Sequence, residues 1–171
     1  MGINVYLSFI IYFVLQLEVN GQVVTETNQV DVRGQRKGLW IEQNGLIEAY
    51  YSAGLKNGFF KSYNRKNGKL SSFGEFSEGK KCGVWYYFDE KSFLIVKELN
   101  IRENNEFEIL RDDGVEVRMK YISCTYFFYT NGRVKEEGQV LYNDDIEIDF
   151  VKIGEWKYYD DKGNLTKIKN Y

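Results

Sequence analysis

The sequence predicts an all-β protein in which consecutive antiparallel β-hairpins stack as one elongated, twisted repeat sheet. Two recurring patterns and one absence carry this prediction. The first pattern is a Gly-x-aromatic opening, found at Gly38-Leu39-Trp40, Gly58-Phe59-Phe60, Gly83-Val84-Trp85 and Gly154-Glu155-Trp156. The second is a turn followed by an apolar residue. The chain has no proline, so its turns depend on Gly, Asn and Asp. Such self-similarity is the signature of a repeat architecture.

The first 21 residues are predicted to be a signal peptide. Residues 3–17 are almost entirely apolar, a length that suits a signal-peptide core and falls short of the about 20 residues of a membrane-spanning helix. Val19-Asn20-Gly21 places small residues before a cut after Gly21, which makes Gln22 the new N-terminus. No Lys or Arg precedes the apolar run. A buried core strand and an uncleaved anchor are the alternatives.

Residues 22–33 are interpreted as a lead-in, and residues 34–171 as the repeat domain. Within a unit, a second aromatic residue follows the opening aromatic by three positions, as at Tyr63, Phe88 and Tyr159. The turns are clearest at Asn67-Gly68-Lys69-Leu70 and Lys162-Gly163-Asn164-Leu165, whereas Ser92-Phe93 replaces the turn glycine of the third unit. Asn and Gly tolerate the positive φ of tight turns, so each unit is predicted to be a hairpin.

The hairpins are expected to share one continuous core. A lone two-stranded hairpin is marginally stable in water, so repeated hairpins must pack against their neighbours. The opening glycine is expected to have a steric role, because a missing side chain lets a neighbouring ring lie against the backbone. We therefore expect Gly58 and Gly83 to lie beneath rings of adjacent units.

Composition excludes several classes of function. The chain has no histidine, which rules out Ser-His-Asp and Cys-His catalysis and imidazole zinc sites. Its 23 basic and 25 acidic residues give a net charge of −2 without a long basic block, so no nucleic-acid partner is expected. Cys82 and Cys124 are too few for a structural zinc site. They are either two unpaired thiols or, in an oxidising compartment, a disulfide.

Acidic residues are the remaining candidates for chemistry. The pairs Asp112–Asp113, Asp144–Asp145 and Asp160–Asp161 fall at predicted turns, where Asp is favoured for local hydrogen bonding. Asp145, Glu147 and Asp149 would share one face of a strand, which suits either solvent or a weak calcium site. No nucleophile motif accompanies these carboxylates, so we predict no catalytic residue, no metal and no cofactor.

The aromatic residues, 17% of the chain, are divided between two predicted roles. The tryptophans are expected to form the core between repeats, whereas the surplus tyrosines are compatible with a core or with an exposed ladder. Side chains alternate faces along a strand, so not every ring can enter the same core. Tyr51, Tyr86 and Tyr158 are out of phase with the core aromatics. Two or more of them are predicted to line one face of the sheet, at least partly accessible to solvent, as a possible contact face.

The pattern Gly-x-Trp-x-x-Tyr followed by a turn Gly-x-Leu resembles the MORN-repeat variant of bacterial proteins. The resemblance covers residues 34–99 well and 125–168 more loosely. It implies a stacked hairpin sheet with protein or lipid contacts. Some similar proteins are described as antitoxins, but that description carries no catalytic residue over to this chain.

These observations predict an exported, non-catalytic interaction module that is secreted, periplasmic or at the cell surface. Its expected partner is a protein, with a glycan or a lipid as alternatives, and a stable transmembrane protein is not expected. The alternative function is a toxin-neutralising protein of the antitoxin type. Such a protein would work in the cytoplasm, so proof of export would argue against it.

Overall fold

The computed structural model describes residues 26–105, 107–110, 114–143 and 150–171. The predicted signal peptide lies outside these residues. The strands are β1 (Gln29–Val30), β2 (Arg36–Glu42), β3 (Ile47–Ser52), β4 (Leu55–Tyr63), β5 (Leu70–Ser77), β6 (Lys80–Phe88), β7 (Leu94–Glu103), β8 (Glu108–Leu110), β9 (Glu116–Arg118), β10 (Tyr121–Phe128), β11 (Val134–Tyr142), β12 (Val151–Tyr159) and β13 (Leu165–Asn170). The described residues contain one short 3-10 turn and no α-helix.

Eleven of the described strands form a single open antiparallel sheet, which confirms the predicted all-β fold of consecutive hairpins. The strands follow one another in chain order from β1 to β7, and then continue from β10 to β13. The small hairpin β8–β9 stands apart as a two-stranded sheet between β7 and β10 in sequence. At about 4.8 Å per strand, the sheet extends roughly 50 Å from edge to edge.

Two kinds of turn connect the strands. Ala53-Gly54 and Glu78-Gly79 are two-residue turns in which both residues have positive φ, the geometry that matches the twist of a hairpin. The longer turns include Asp89–Phe93, Tyr129–Arg133 and Asp160–Asn164, each closed by the same pair of backbone hydrogen bonds. Ser92, with φ 75°, occupies the position that glycine takes in the other two. The predicted replacement of the turn glycine of the third unit is therefore confirmed at Ser92.

At Gly83 and Gly154 the opening glycine has a conformational role rather than the expected steric one. Gly83 and Gly154 both have φ 65°, in the left-handed region that glycine adopts without strain. Each begins a bulge in which three residues face one residue of the preceding strand. A Cβ added at Gly83 would meet only the Glu75 carboxylate, at 3.8 Å. The prediction that a ring of an adjacent unit covers Gly83 was wrong. Gly58 does lie against the aromatic side chain of Tyr50 in the neighbouring strand, whose Cβ and first ring carbon would stand 3.1 and 3.6 Å from an added Cβ.

Two other glycines make room for the tryptophans. Gly74 of β5 lies directly beneath the Trp85 ring, and an added Cβ would stand 2.2 Å from a ring carbon. Gly138 of β11 lies beneath Trp156 in the same way, at 2.4 Å. The bulges at Gly83 and Gly154 bring the two rings over the preceding strand. Each indole N–H group donates to a main-chain carbonyl oxygen of that strand, Glu75 for Trp85 and Gln139 for Trp156.

The main core lies on one side of the sheet, here called the tryptophan face because it carries Trp40, Trp85 and Trp156. Trp85 and Trp156 are completely buried, which confirms the core role predicted for these two, whereas Trp40 is half-buried. The other side is called the opposite face. Near its middle, Ile109 of the β8–β9 hairpin packs against a small cluster of Met119, Ile122 and Leu141.

Candidate binding face

The structure does not bring the three predicted contact tyrosines together. Tyr51 lies on the tryptophan face, where it is 8% exposed and its ring contacts Trp40 with centroids 6.0 Å apart. Tyr158 lies on the same face beside Trp156. Tyr86 is adjacent to Trp85 in β6 and therefore points to the opposite face. Tyr51 and Tyr158 therefore share one face, but Tyr51 is buried there and Tyr86 lies on the other side. Contact with a partner stays a prediction for each residue.

Tyr86 belongs instead to an aromatic stripe, which we define as Tyr50, Phe59, Phe73 and Tyr86 on the opposite face. These residues come from four successive strands, β3 to β6. The Phe59 and Phe73 ring centroids are 5.8 Å apart, and those of Phe73 and Tyr86 are 6.5 Å apart. Phe59 and Tyr50 are 52% and 40% exposed. Cross-strand alignment of the repeats thus produces a continuous row of accessible rings.

A shallow pocket of about 330 Å³ lies at the β3–β5 end of the stripe, and its lining includes Leu39 and the three rings of Tyr50, Phe59 and Phe73. Its polar members are Glu48 and Lys61, which form an ion pair of 3.2 Å across β3 and β4. The pocket therefore combines an apolar wall with one fixed pair of charges.

The ion pair is held by a third side chain. Tyr63 donates a hydrogen bond of 2.8 Å to the other carboxylate oxygen of Glu48. This bond, with a further contribution from Lys61, lowers the pKa of Glu48 below its ordinary value. The hydrogen bond to Glu48 in turn raises the pKa of Lys61. Both groups are consequently charged throughout the neutral pH range.

The stripe is uncovered in the described part of the chain. Among the described strands, only β8 and β9 lie outside the main sheet, and Ile109 of β8 packs on Ile122 of β10 and Leu141 of β11. Isolated exposed apolar residues are ordinary, but a contiguous row of large rings is typical of an interaction surface.

The tryptophan face carries a feature that the sequence analysis missed. A basic residue lies two positions before each opening glycine and over the aromatic ring four positions later. The cation-to-centroid distances are 4.5 Å for Arg36 and Trp40, 5.0 Å for Lys56 and Phe60, 4.7 Å for Lys81 and Trp85, and 4.1 Å for Lys152 and Trp156. The repeated pattern basic-x-Gly-x-aromatic is visible in the sequence and predicts this contact.

Acidic side chains and tyrosines complete three of these clusters. Tyr51 donates to Glu42 at 3.0 Å, and Tyr87 donates to the buried Glu98 at 2.9 Å. Burial and then the Glu42 hydrogen bond raise the pKa of Tyr51. Lys152 forms an ion pair with Glu136. Because the face pairs these charges internally, it is better suited to holding the repeats together than to binding.

A second pocket, of about 430 Å³, lies on the opposite face near β10–β12. It is lined by Cys124, Tyr126, Glu137, Gly138, Gln139, Glu155 and Lys157. Tyr159 donates a hydrogen bond of 2.6 Å to Glu137. This bond, together with burial, raises the pKa of Tyr159 to about 12. A carboxylate so engaged by a tyrosine is a poor general base.

The other residues considered for chemistry are a turn aspartate, the two cysteines and potential metal ligands. Asp160 accepts hydrogen bonds from the backbone N–H groups of Lys162 and Asn164, and bonds from Asn164 lower its pKa. The predicted turn role is therefore confirmed for Asp160. Both cysteines are free thiols, so the disulfide alternative is not realised. No group of three or more potential metal ligands occurs among the described residues.

Several predicted positions lie outside the described residues. They are the pairs Asp112–Asp113 and Asp144–Asp145 and the calcium candidates Asp145, Glu147 and Asp149.

Comparison of the chain with protein-family models and with curated proteins found no match. Over the described ranges, the structure has no helix with the length and apolar character needed to cross a membrane.

Proposed function

We propose that the protein is a non-catalytic binding module that contacts another protein through the aromatic stripe on its opposite face. The observation that carries this proposal is the alignment of Tyr50, Phe59, Phe73 and Tyr86 across four strands without a covering element in the described chain. Aromatic residues dominate the energetics of protein interfaces because they bury a large area with few rotatable bonds. The resemblance to MORN-type repeats supports the same proposal.

The geometry of the rings favours a protein over a glycan. Phe73 lies between Phe59 and Tyr86, and its plane is inclined by only 20° and 21° to theirs. The three rings are therefore nearly parallel and form one broad apolar row. A sugar needs hydrogen-bonding groups beside the ring on which it stacks, and the charged groups of the adjoining pocket, Glu48 and Lys61, are paired with each other. Apolar side chains of a protein can bury area against several rings at once.

The pocket at the end of the stripe supplies an anchor. Its three rings and Leu39 offer apolar contact, and the Glu48–Lys61 pair at 3.2 Å offers one acceptor and one donor. Interfaces commonly combine an apolar centre with polar groups at its rim. An apolar side chain of the partner would occupy the pocket.

Export is part of the proposal. The apolar run 3–17 and the small residues before Gln22 support it. An exported module that lacks histidine-based catalysis has binding as its expected activity.

Site-specific photo-crosslinking in the source cells tests the binding face. A photoreactive phenylalanine analogue would replace Phe59 or Tyr86 in the stripe, and Lys91 in an exposed turn would serve as the control position. We expect one discrete protein adduct from positions 59 and 86 and none from position 91. The substitution Phe73→Ser should reduce that adduct. Adducts of equal yield at all three positions, or none at any, would contradict the proposal.

A further inference from the structure

Lys97 of β7 differs from every other partly buried lysine in the described part of the chain. The others each lie over an aromatic ring or form an ion pair, and they are Lys56, Lys61, Lys81, Lys120, Lys152 and Lys157. Lys97 is also partly buried, but among the described residues its ammonium group has neither kind of contact. Because charged groups that leave water are normally paired, Lys97 is a candidate for pairing with another molecule.

Lys97 lies at one end of the aromatic stripe. In the sheet register it stands opposite Tyr86 of β6 on one side and opposite Tyr126 of β10 on the other. Residues paired in this way share a face of the sheet, so Lys97 lies on the opposite face with Tyr86. Phe73 pairs with Tyr86 in the same register. A partner that covers the stripe and reaches Tyr126 therefore also covers Lys97.

The two ends of the stripe differ in charge. At the pocket end, Lys61 is paired with Glu48 at 3.2 Å, so the two charges compensate each other. Lys97 gives the other end one positive charge that no described carboxylate compensates on this face.

Two acidic residues lie near Lys97 in the register, and both are engaged elsewhere. Glu137, opposite Tyr126 in β11, accepts the hydrogen bond of Tyr159. Glu98 follows Lys97 in β7, is buried on the tryptophan face and accepts a hydrogen bond from Tyr87. The counter-charge for Lys97 is therefore expected from a bound partner.

Covering Lys97 places a chemical requirement on that partner. Desolvation of an ammonium group is unfavourable unless an acceptor of opposite charge replaces the water. One carboxylate matches one ammonium group, whereas a phosphate group carries about 1.5–2 negative charges and is typically held by several arginines. The row of Phe73, Tyr86, Lys97 and Tyr126 contains no arginine.

We propose that Lys97 pairs with an aspartate or glutamate side chain of the partner protein and so selects partners with an acidic residue beside their apolar contact. This proposal rests on the binding function proposed above. β5 and β7 are separated by one strand, so Phe73 and Lys97 lie about 10 Å apart across the sheet. The partner presents its carboxylate about this far from the apolar side chain that contacts Phe73.

Photo-crosslinking from position 59 in the source cells, combined with substitutions at Lys97, tests the proposal. Lys97→Glu should lower the yield of the protein adduct about tenfold or more, because an attraction becomes a repulsion. Lys97→Arg should retain the adduct, since the charge is kept. Lys162→Glu is the matched control, because it changes net charge equally at an exposed turn between β12 and β13. Circular dichroism of every variant should show the same strand content.

A carbodiimide, which condenses a lysine amine with an adjoining carboxylate, identifies the paired group directly. Mass spectrometry should find Lys97 joined to an aspartate or glutamate of the same partner. Changing that acidic residue to lysine should restore the adduct of the Lys97→Glu protein.

An adduct that Lys97→Glu leaves unchanged, or that Lys97→Arg lowers equally, would overturn the role of Lys97 and leave the binding face in place. Joining of Lys97 to a phosphate group would overturn it as well. No adduct from any stripe position of the otherwise unaltered protein would instead contradict the binding function, and this proposal with it.

Discussion

At the scale of single residues, glycine performs two separate tasks in this protein. The glycines that open the units, such as Gly83 at φ 65°, permit a backbone conformation. The glycines beneath the rings, such as Gly74, provide space for an indole. An added side chain strains the backbone in the first case and clashes with a ring in the second, so substitutions can distinguish the two roles.

Gly74→Ala is expected to destabilise the fold by about 2–3 kcal/mol, since overpacking of a filled core costs about 1–3 kcal/mol. The added Cβ would stand 2.2 Å from the Trp85 ring, and the backbone conformation itself tolerates alanine. Urea denaturation followed by tryptophan fluorescence measures the change. Ser77→Ala, at an exposed position of the same strand, should leave the midpoint unchanged. Equal midpoints for both variants would contradict the close approach.

Gly83→Val is expected to lower the melting temperature through backbone strain, because its φ of 65° costs L-residues about 1–2 kcal/mol and β-branched residues more. Gly83→Asn should cost less, since Asn visits this region readily. Calorimetry of the two variants provides the comparison. Equal losses for Val and Asn would indicate a steric origin instead.

The Tyr159–Glu137 hydrogen bond makes the folding stability of the protein depend on pH in the alkaline range. The bond raises the pKa of Tyr159 to about 12, whereas an unfolded tyrosine titrates near 10. The stabilisation is therefore complete below about pH 10 and is lost as pH rises toward 12. NMR titration of the Tyr159 ring should show this pKa. Glu137→Gln should move it down toward the ordinary value, and a titration unaffected by the substitution would count against the bond.

At the scale of elements, the sequence predicts the hairpins better than it predicts which side chains share a face or which element packs over the sheet. Turn glycines and the replacement at Ser92 are visible because turn chemistry is local. The face of Tyr86 follows from its alternation with Trp85 in β6, whereas the burial of Tyr51 beside Trp40 depends on how β2 and β3 pair. Bulges change the register between strands, so alternation within one strand does not predict which tyrosines of different strands share a face. The position of the β8–β9 hairpin over β10 and β11 likewise depends on long-range packing, which a local sequence pattern does not predict.

The β8–β9 hairpin is expected to depend on Ile109 for its position over the sheet. Ile109 packs against Met119, Ile122 and Leu141, whereas its neighbour Leu110 is largely exposed. Ile109→Ala should cost about 1–2 kcal/mol, less than the 2–5 kcal/mol of a fully buried site. It should also speed amide hydrogen exchange in β10. Leu110→Ala should change neither quantity, and similar exchange in the two variants would contradict the packing role.

At the scale of the whole molecule, the two sides of the sheet differ in how their side chains are engaged. The tryptophan face pairs cations, rings and carboxylates within the protein, as at Lys152, Trp156 and Glu136. The opposite face leaves its rings accessible on β3 to β6. This division follows from alternation along each strand, because one side of a single-layer sheet can be made a core while the other remains available.

Cleavage after Gly21 is expected for the native protein, because a 15-residue apolar run is followed by small residues at the cut. Mass spectrometry of protein from the source cells should find Gln22, or its cyclised form, at the N-terminus. The cytoplasmic fraction should lack this product. An intact Met1 on cytoplasmic protein would refute export and would favour the antitoxin alternative.

The order of strands in the sheet also determines how the chain folds. Almost every strand pairs with its neighbour in sequence, and the connecting turns are short, so most native contacts require little loop-closure entropy. Hairpin formation can begin at many places and spread along the array. The exception is the pairing of β7 with β10, which must enclose residues 104–120. This closure joins the two halves of the sheet, and we expect it to limit the folding rate, because the rate falls as contacts become less local.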